Sequence, residues 1–445
     1  MTTGSADTRQ RLIGAAPTSL GAPNGASRTH AFDRWFRYPA GFSPAALNAA
    51  FGALALTKGD LVVDPFAGVA TAGTTARNLG LRFRGIEAHP LVAELANLKL
   101  KRPKTLRDTG QLVDEASALT ASVCQQDVEA EHELVRRCFD AQTLSDLVAL
   151  RESIRASENP YRTHLKWALL GTLREAASVE AGWPHQRPNR PRRQLFANHL
   201  QRFVDRAAWI AQDLEVAPFG IANRVVVGDA RLRDSWRRAL GGELATGCVS
   251  SPPYLNNFDY ADATRLELYF WGEITTWAEM CTEVRDGMLV ATTQQSSVRI
   301  AEDAWRRILH YELGSALKPL ADELGDLRRF RGRAYSGETA STGGARRYGK
   351  EYDRVLPSYF AGAATVLRQL FGHLIPGAKA AWVVGDSAPY GVYIDTPRLL
   401  GQLAEEIGFS VTVDVTIRSR GERWRTNGTR HQVPLSERLL VLRRP

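Results

Sequence analysis

Seven short runs rich in β-branched and aliphatic residues limit the fold of this 445-residue chain more than any other feature. They are LVVDPF (61–66), FRGIEA (83–88), RVVVGDA (224–230), GCVSSPPY (247–254), AAWVVGDS (380–387), SVTVDVTIRS (410–419) and ERLLVLRR (437–444). Stretches with helical periodicity separate them. In PRLLGQLAEEIGF (397–409), Leu399, Leu400, Leu403 and Ile407 share one face, and Pro397 and Gly408 mark the ends. Apolar strands alternating with amphipathic helices imply an α/β fold: a doubly wound, seven-stranded, mostly parallel sheet covered on both faces. Ligands of such sheets bind beyond the carboxyl ends of the strands, so the residues just after each run carry the functional information.

Two stretches break the rhythm. Residues 101–220 have a helical pattern and contain the basic, proline-broken PHQRPNRPRRQ; residues 276–360 end in RRFRGRAYSGETASTGGARRYGKEYDR. The expected organisation is a flexible tail (1–28), core segments at 29–100, 221–275 and 361–445, a helical insert (101–220) and a basic loop insert (276–360). The N-terminus lacks the apolar segment of a secretory signal, and no run is apolar enough to span a bilayer. The four cysteines form no CxxC and the nine histidines no HxxxH or HExxH, which argues against a metal site or disulfides and fits a reducing cytoplasm. The net charge of +9 favours a polyanionic partner, nucleic acid before an acidic membrane surface.

The strand ends carry a pattern of their own. In DPFAGVATAGTT (64–75) an acid closes a strand and small residues lead into a helix, allowing a ligand close to the backbone. The loop matches neither GxGxxG nor the lysine-bearing phosphate loop. Glu87 closes the second strand, where an acid accepts both hydrogen bonds of a ribose diol. Asp229 closes the third, in place to hold an adenine amino group. Each acid alone is equally an N-cap or strand-end polar residue. The fourth strand ends in Ser251-Pro252-Pro253-Tyr254, a stiff turn whose prolines give nothing to a sheet ladder.

Together these residues resemble the S-adenosylmethionine-dependent amino methyltransferases. SPPY is similar to their catalytic Asp/Asn/Ser-Pro-Pro-aromatic motif and DPFAGVATAGTT to their DPFxGxGTT loop. HAFDRWFRYPAGFSP (30–44) resembles the segment preceding that loop in many bacterial DNA methyltransferases. The resemblance covers about half of the chain and implies a Rossmann-like methyltransferase sheet. It also implies S-adenosylmethionine as cofactor, held by Tyr38, Asp64, Pro65, Phe66, Gly68, Thr71, Glu87, Asp229 and Ser251. Ala70 stands where the pattern has its second glycine; a positive φ there would be strained. For Trp35, Phe36 and Phe42, core packing is an equal reading.

The implied chemistry accounts for the residue types. The exocyclic amine of a base is a poor nucleophile because its lone pair is delocalised into the ring. In the resemblance, the Ser251 hydroxyl and the Pro252 carbonyl accept the amine hydrogens and make the nitrogen more tetrahedral. The prolines hold those acceptors rigid, and Tyr254 stacks a base taken out of the duplex. The family's serine form points to cytosine N4, with adenine N6 as the alternative. RNA base methylation and a DNA-binding regulator with an inactive core are the further alternatives. Carbon-5 methylation needs a thiolate, usually in Pro-Cys, which the chain lacks. Asn256, Asn257 and Tyr260 are candidates for the base pocket, and so is Asp259. Arg328, Arg329, Arg331, Arg333, Arg346 and Arg347 are candidates for DNA contact, with Arg187, Arg190, Arg192 and Arg193 second. Such enzymes act beside a cognate nuclease or as orphan modifiers. No PD…ExK signature occurs here, so a nuclease would be a separate protein.

Overall fold

The computed structural model describes residues 30–38, 42–101, 109–181, 187–191, 198–217, 223–256, 259–336, 350–420 and 433–445. All seven runs are strands of one sheet: β1 (Leu61–Asp64), β2 (Arg82–Glu87), β3 (Arg224–Val227), β4 (Ala245–Ser250), β5 (Leu374–Gly385), β6 (Ser410–Arg420) and β7 (Leu435–Arg443). Their order is β3-β2-β1-β4-β5-β7-β6. The first five strands pair in parallel, and β7 is antiparallel to both neighbours. This is the expected doubly wound, seven-stranded, mostly parallel sheet.

The period-2 alternation of side chains builds two cores. Leu61, Val63, Ile86, Cys248, Trp382, Val384, Leu440 and Leu442 point to one face. There they meet Leu400 and Leu403 of the helix Thr396–Ile407 and the apolar side of the helix Tyr352–His373. Val62, Phe83, Val249, Ala381, Val383, Leu439 and Val441 point to the other, under the helices Pro44–Gly52 and Thr71–Asn78. Burial on both faces is why the central strands β1 and β4 read as continuous apolar runs, while the edge strands β3 and β6 are largely exposed. The helix Thr396–Ile407 is capped by Asp395 and stops at Gly408, whose φ of 118° suits only glycine.

The 101–220 stretch is helical, with its longer helices at Gly110–Ala121, Ala141–Ala156, Arg162–Ala176 and His199–Glu215. These build a third core that takes in the N-terminal aromatics. Trp35 and Phe36 are buried in it, and Phe36 packs edge-on against Trp167 at 5.3 Å. Asp213 clasps the segment, accepting from the Phe32 amide at 2.7 Å, the Trp35 indole at 2.8 Å and Arg34 at 2.6 Å. The insert thereby carries Tyr38 to the sheet edge.

The basic loop insert needs correction. Residues Val298–Ile308 and Glu312–Ser336 are helical, and the helix Tyr352–His373 runs across residue 360 into the core. Leu313, Leu317 and Leu324 recur at helical spacing and are buried in the same core as the helix Tyr352–His373. That apolar stripe outweighs the glycines and arginines at its end. Among the described residues no helix is long and apolar enough to cross a membrane.

Candidate active site

Strand order reverses at β1: the chain builds outward to β2 and β3, then returns to lay β4 on the other side. The crevice at such a switch point is where open α/β sheets bind ligands. Asp64 stands at its β1 wall, 1% exposed. Its Oδ1 accepts from the Ser250 hydroxyl at 2.5 Å and the Phe66 amide at 2.9 Å, and Oδ2 has no hydrogen-bond partner among the described residues. Burial pushes its carboxyl up to about 7, against the opposing pull of those hydrogen bonds.

The loop after β1 bends tightly. Pro65 is buried at its start. Phe66 meets Trp382 edge-on at 6.3 Å. Gly68 and Ala70 have φ of 52° and 57°. The positive φ expected to strain Ala70 is therefore present, a left-handed conformation costing an L-residue about 1–2 kcal/mol. It turns the chain into the helix Thr71–Asn78, where the Thr71 carbonyl accepts the Thr74 and Thr75 hydroxyls. Glu87 ties this loop to β2: Oε2 accepts from the Gly68 amide and Oε1 from the His89 amide, each at 2.8 Å. Burial raises the Glu87 carboxyl as well. Tyr38 closes the loop from above; a Cβ on Gly68 would lie 3.7 Å from its ring. Asp229 is at the end of β3, with its carboxylate gripped by the Arg231 backbone amide and guanidinium at 2.8–2.9 Å. Arg231 in turn donates to the Asp286 carbonyl at 2.8 Å.

At the β4 wall the Ser251 hydroxyl donates to the Val383 carbonyl at 3.0 Å. With its proton directed toward β5 the oxygen is left as an acceptor, and the Tyr254 hydroxyl lies 3.5 Å from it. The Tyr254 amide donates to the Tyr260 hydroxyl at 3.0 Å, fixing the turn from the following helix. Pro252 is buried, and Pro253 and Tyr254 are partly exposed. Burial holds the Tyr254 phenol well above its ordinary value, so it stays protonated. Asn256 has a φ of 57° and donates its amide to the Ala291 carbonyl at 2.7 Å; its side-chain amide is buried with no partner among the described residues. Cys248 is fully buried, and burial pushes its thiol up, which leaves no thiolate for carbon-5 chemistry.

Several residues here escaped the sequence reading. Ser250, adjacent to the motif, locks β4 to Asp64. Asp259, expected near the base, instead forms a buried ion pair with Arg285, which also donates to Gln294 at 3.0 Å and lies 4.2 Å over Trp277. Arg285 is the last residue of a π-helical turn, Met280–Arg285, and nothing in its local sequence marks it. Arg420 lies 4.9 Å over the Tyr254 ring.

The basic run is less available than its composition implied. Arg328 pairs with Asp353 at 3.0 Å and Glu351 at 3.5 Å, bracing two helices, while Arg329 pairs with Asp326 but remains mostly exposed. Arg190 lies 3.4 Å from Glu180. Asn257, Arg192, Arg193, Arg346 and Arg347, and the side chains of Arg187, Arg331 and Arg333, lie outside the described residues.

The donor set suits a cationic, diol-bearing cofactor. Two buried carboxyls with raised pKa values are what a bound cation would compensate. Asp64 keeps an oxygen without a hydrogen-bond partner among the described residues, and the Glu87 oxygens accept only from backbone amides. The loop has no lysine to cradle phosphates.

No family model matches the chain. It is 22% identical over 462 residues to the type II methyltransferase M.BsoBI of Geobacillus stearothermophilus, spanning 94% of this chain and 87% of that protein. It is 25% identical over 199 residues to the type II methyltransferase M.AvaI of a Nostoc strain, a match spanning 44% of this chain and 38% of the relative. M.AvaI of Anabaena variabilis matches to the same extent. Among solved structures, the rRNA methyltransferase AviRa of Streptomyces viridochromogenes aligns over 96% of this chain and 90% of its own. At 10% identity and a TM-score of 0.29, that likeness decides nothing about fold or substrate.

Proposed function

We propose that this chain is an S-adenosylmethionine-dependent methyltransferase that methylates an exocyclic base amine in DNA, the N4 amine of cytosine, a reading supported by its likeness to type II methyltransferases and by its strand order. The observation that carries this reading is the clamp at the end of β4. There the Ser251 hydroxyl lies 3.0 Å from the Val383 carbonyl and 3.5 Å from the Tyr254 hydroxyl, and donating to Val383 leaves its oxygen to accept an amine hydrogen. The relatives' names, type II methyltransferases, and the +9 charge support DNA as substrate and a restriction-modification setting. Serine at the head of the motif favours cytosine over adenine.

Bound S-adenosylmethionine supplies an electrophilic methyl group on a sulfonium centre. Glu87 would take the ribose diol and Asp64 would balance the positive charge, with Tyr38 covering the Gly68 turn. Asp229, its carboxylate held by Arg231, would meet the adenine amino group. Across the crevice, Ser251 and the Pro252 carbonyl orient the target amine so that its lone pair faces the methyl group. Preorganised acceptors of this kind cost little reorganisation at the transition state. Tyr254 stacks the extruded base, and Tyr260 keeps the turn from opening.

The test is expression in a bacterial host without DNA methylation, followed by sequencing of its DNA for modified bases. N4-methylcytosine at one recurrent short motif is the expected result. N6-methyladenine would keep the clamp mechanism and change the base. Unmodified host DNA, with labelled S-adenosylmethionine transferred to host RNA instead, would overturn the DNA assignment.

A further inference from the structure

We propose that Arg420 is a phosphate-binding residue of this site, its guanidinium receiving the phosphodiester that flanks the extruded nucleotide. The inference rests on the reading above, in which Tyr254 stacks a base taken out of the duplex.

Topology brings Arg420 to the site. Because β5 and β6 are both antiparallel to β7, they run the same way, and β6 ends at the sheet edge where β4 and β5 end. Its last residue, Arg420, lies over the Tyr254 ring at 4.9 Å and donates to the Asp386 carbonyl at 3.2 Å. The contact requires a glycine at the end of β5. A Cβ on Gly385 would stand 1.7 Å from Arg420 Nη1 and 2.8 Å from the Tyr254 ring. Three strand ends thus converge on one aromatic face.

The charge pattern around it indicates what Arg420 is for. The arginines beside it on β6 and β7 are neutralised: Arg418 by buried Glu437, and Arg438 by Asp414 and by Asp395 at 2.8 Å. The Asp386 carboxylate is spent on the Ser436 amide and hydroxyl and on Tyr393. Arg420 has no carboxylate within ion-pair distance among the described residues, and only one backbone carbonyl as acceptor. A guanidinium has five N–H groups in a rigid fork that matches phosphate oxygens. Partly exposed, at the mouth of a base-binding crevice, it faces where the backbone of a flipped nucleotide must pass. The cofactor carboxylate is a poorer match, since apart from Tyr38 and Ser251 the cofactor candidates follow β1, β2 and β3, on the far side of β4.

The experiment measures duplex DNA binding by wild-type, Arg420→Ala and Arg420→Lys proteins over a range of salt concentrations, with methylation rates on the same DNA and S-adenosylmethionine binding in its absence. Losing one phosphate contact should lower the slope of log K against log salt by about 1. We expect that from Arg420→Ala, with KM for DNA raised at least about tenfold and cofactor binding unchanged. Arg420→Lys should keep the slope, because the charge stays, yet turn over more slowly because the fork is lost. A wild-type slope in Arg420→Ala, while the wild-type protein methylates DNA, overturns the phosphate assignment alone. So does an alanine variant that loses cofactor affinity and keeps DNA affinity, which would make Arg420 a cofactor residue. A wild-type protein that neither methylates nor binds DNA overturns this inference and the proposed function together.

Discussion

Replacing Asp64 by asparagine should make the cofactor-free protein more stable, and by an amount that depends on pH. The carboxyl is 1% exposed, and burial carries it from its ordinary 3.8 to about 7. Between those values the folded protein holds a proton that the unfolded chain releases. Wild-type stability therefore falls as pH rises through that window, by about 1.4 kcal/mol per pH unit. The loss is complete above the folded pKa of about 7 and totals about 4 kcal/mol. Asparagine does not titrate, and its carbonyl still accepts from Ser250 and Phe66. Glu87, raised in the same direction, also repels the Asp64 charge, so the substitution removes that repulsion and adds to the gain in the variant. Urea unfolding of both proteins at half-unit steps from pH 5 to pH 8 reads the effect directly. The stability of Asp64→Asn relative to wild type should climb steadily and level off above neutral pH, and the variant should bind the cationic cofactor more than tenfold more weakly. A difference that stays flat across the range would refute the argument that the carboxyl is held against its charge. Such a site gives up stability for function.

Tyr254→Ala should lower methyl transfer at least about a hundredfold while leaving S-adenosylmethionine affinity within about threefold, by calorimetry; unchanged turnover would remove the tyrosine from the base site. Glu87→Gln should weaken cofactor binding at least about tenfold, and an analogue lacking the ribose hydroxyls should abolish the difference between the two proteins. Arg285→Ala leaves Asp259 buried and unpaired, a loss of about 3–5 kcal/mol; denaturant unfolding should show it, with kcat falling as the turn after Tyr254 loosens. Gly385→Ala should drive Arg420 and Tyr254 apart and cost turnover, since the added methyl overlaps both; wild-type rates would mean that the two side chains do not share that space.

The reading from sequence went furthest where the physics is local. The central strands were legible because burial on both faces leaves a continuous apolar run, the edge strands β3 and β6 because of their β-branched residues, and the turn after β4 because Pro252 and Pro253 cannot continue a ladder. Asp64, Glu87 and Asp229 could be placed at strand ends by counting along the chain, and Ala70 showed its strained φ as a departure from glycine. The extent of the basic loop was misjudged because arginine and glycine content drew more weight than the leucine spacing of 313–324.

What the sequence by itself determined, then, is the set of elements and the acids and turn at their ends, since periodicity, proline and glycine act over a few residues. Only the tertiary structure decided how those ends meet. Ser250 reaches Asp64 across 186 residues of chain and Ser251 reaches Val383 across 132. Arg420 comes to Tyr254 only because strand order and direction bring β4, β5 and β6 to one edge. Parallel pairing joins segments remote in sequence, and the partner of a buried charge or a hydroxyl proton is set by that pairing rather than by its neighbours along the chain.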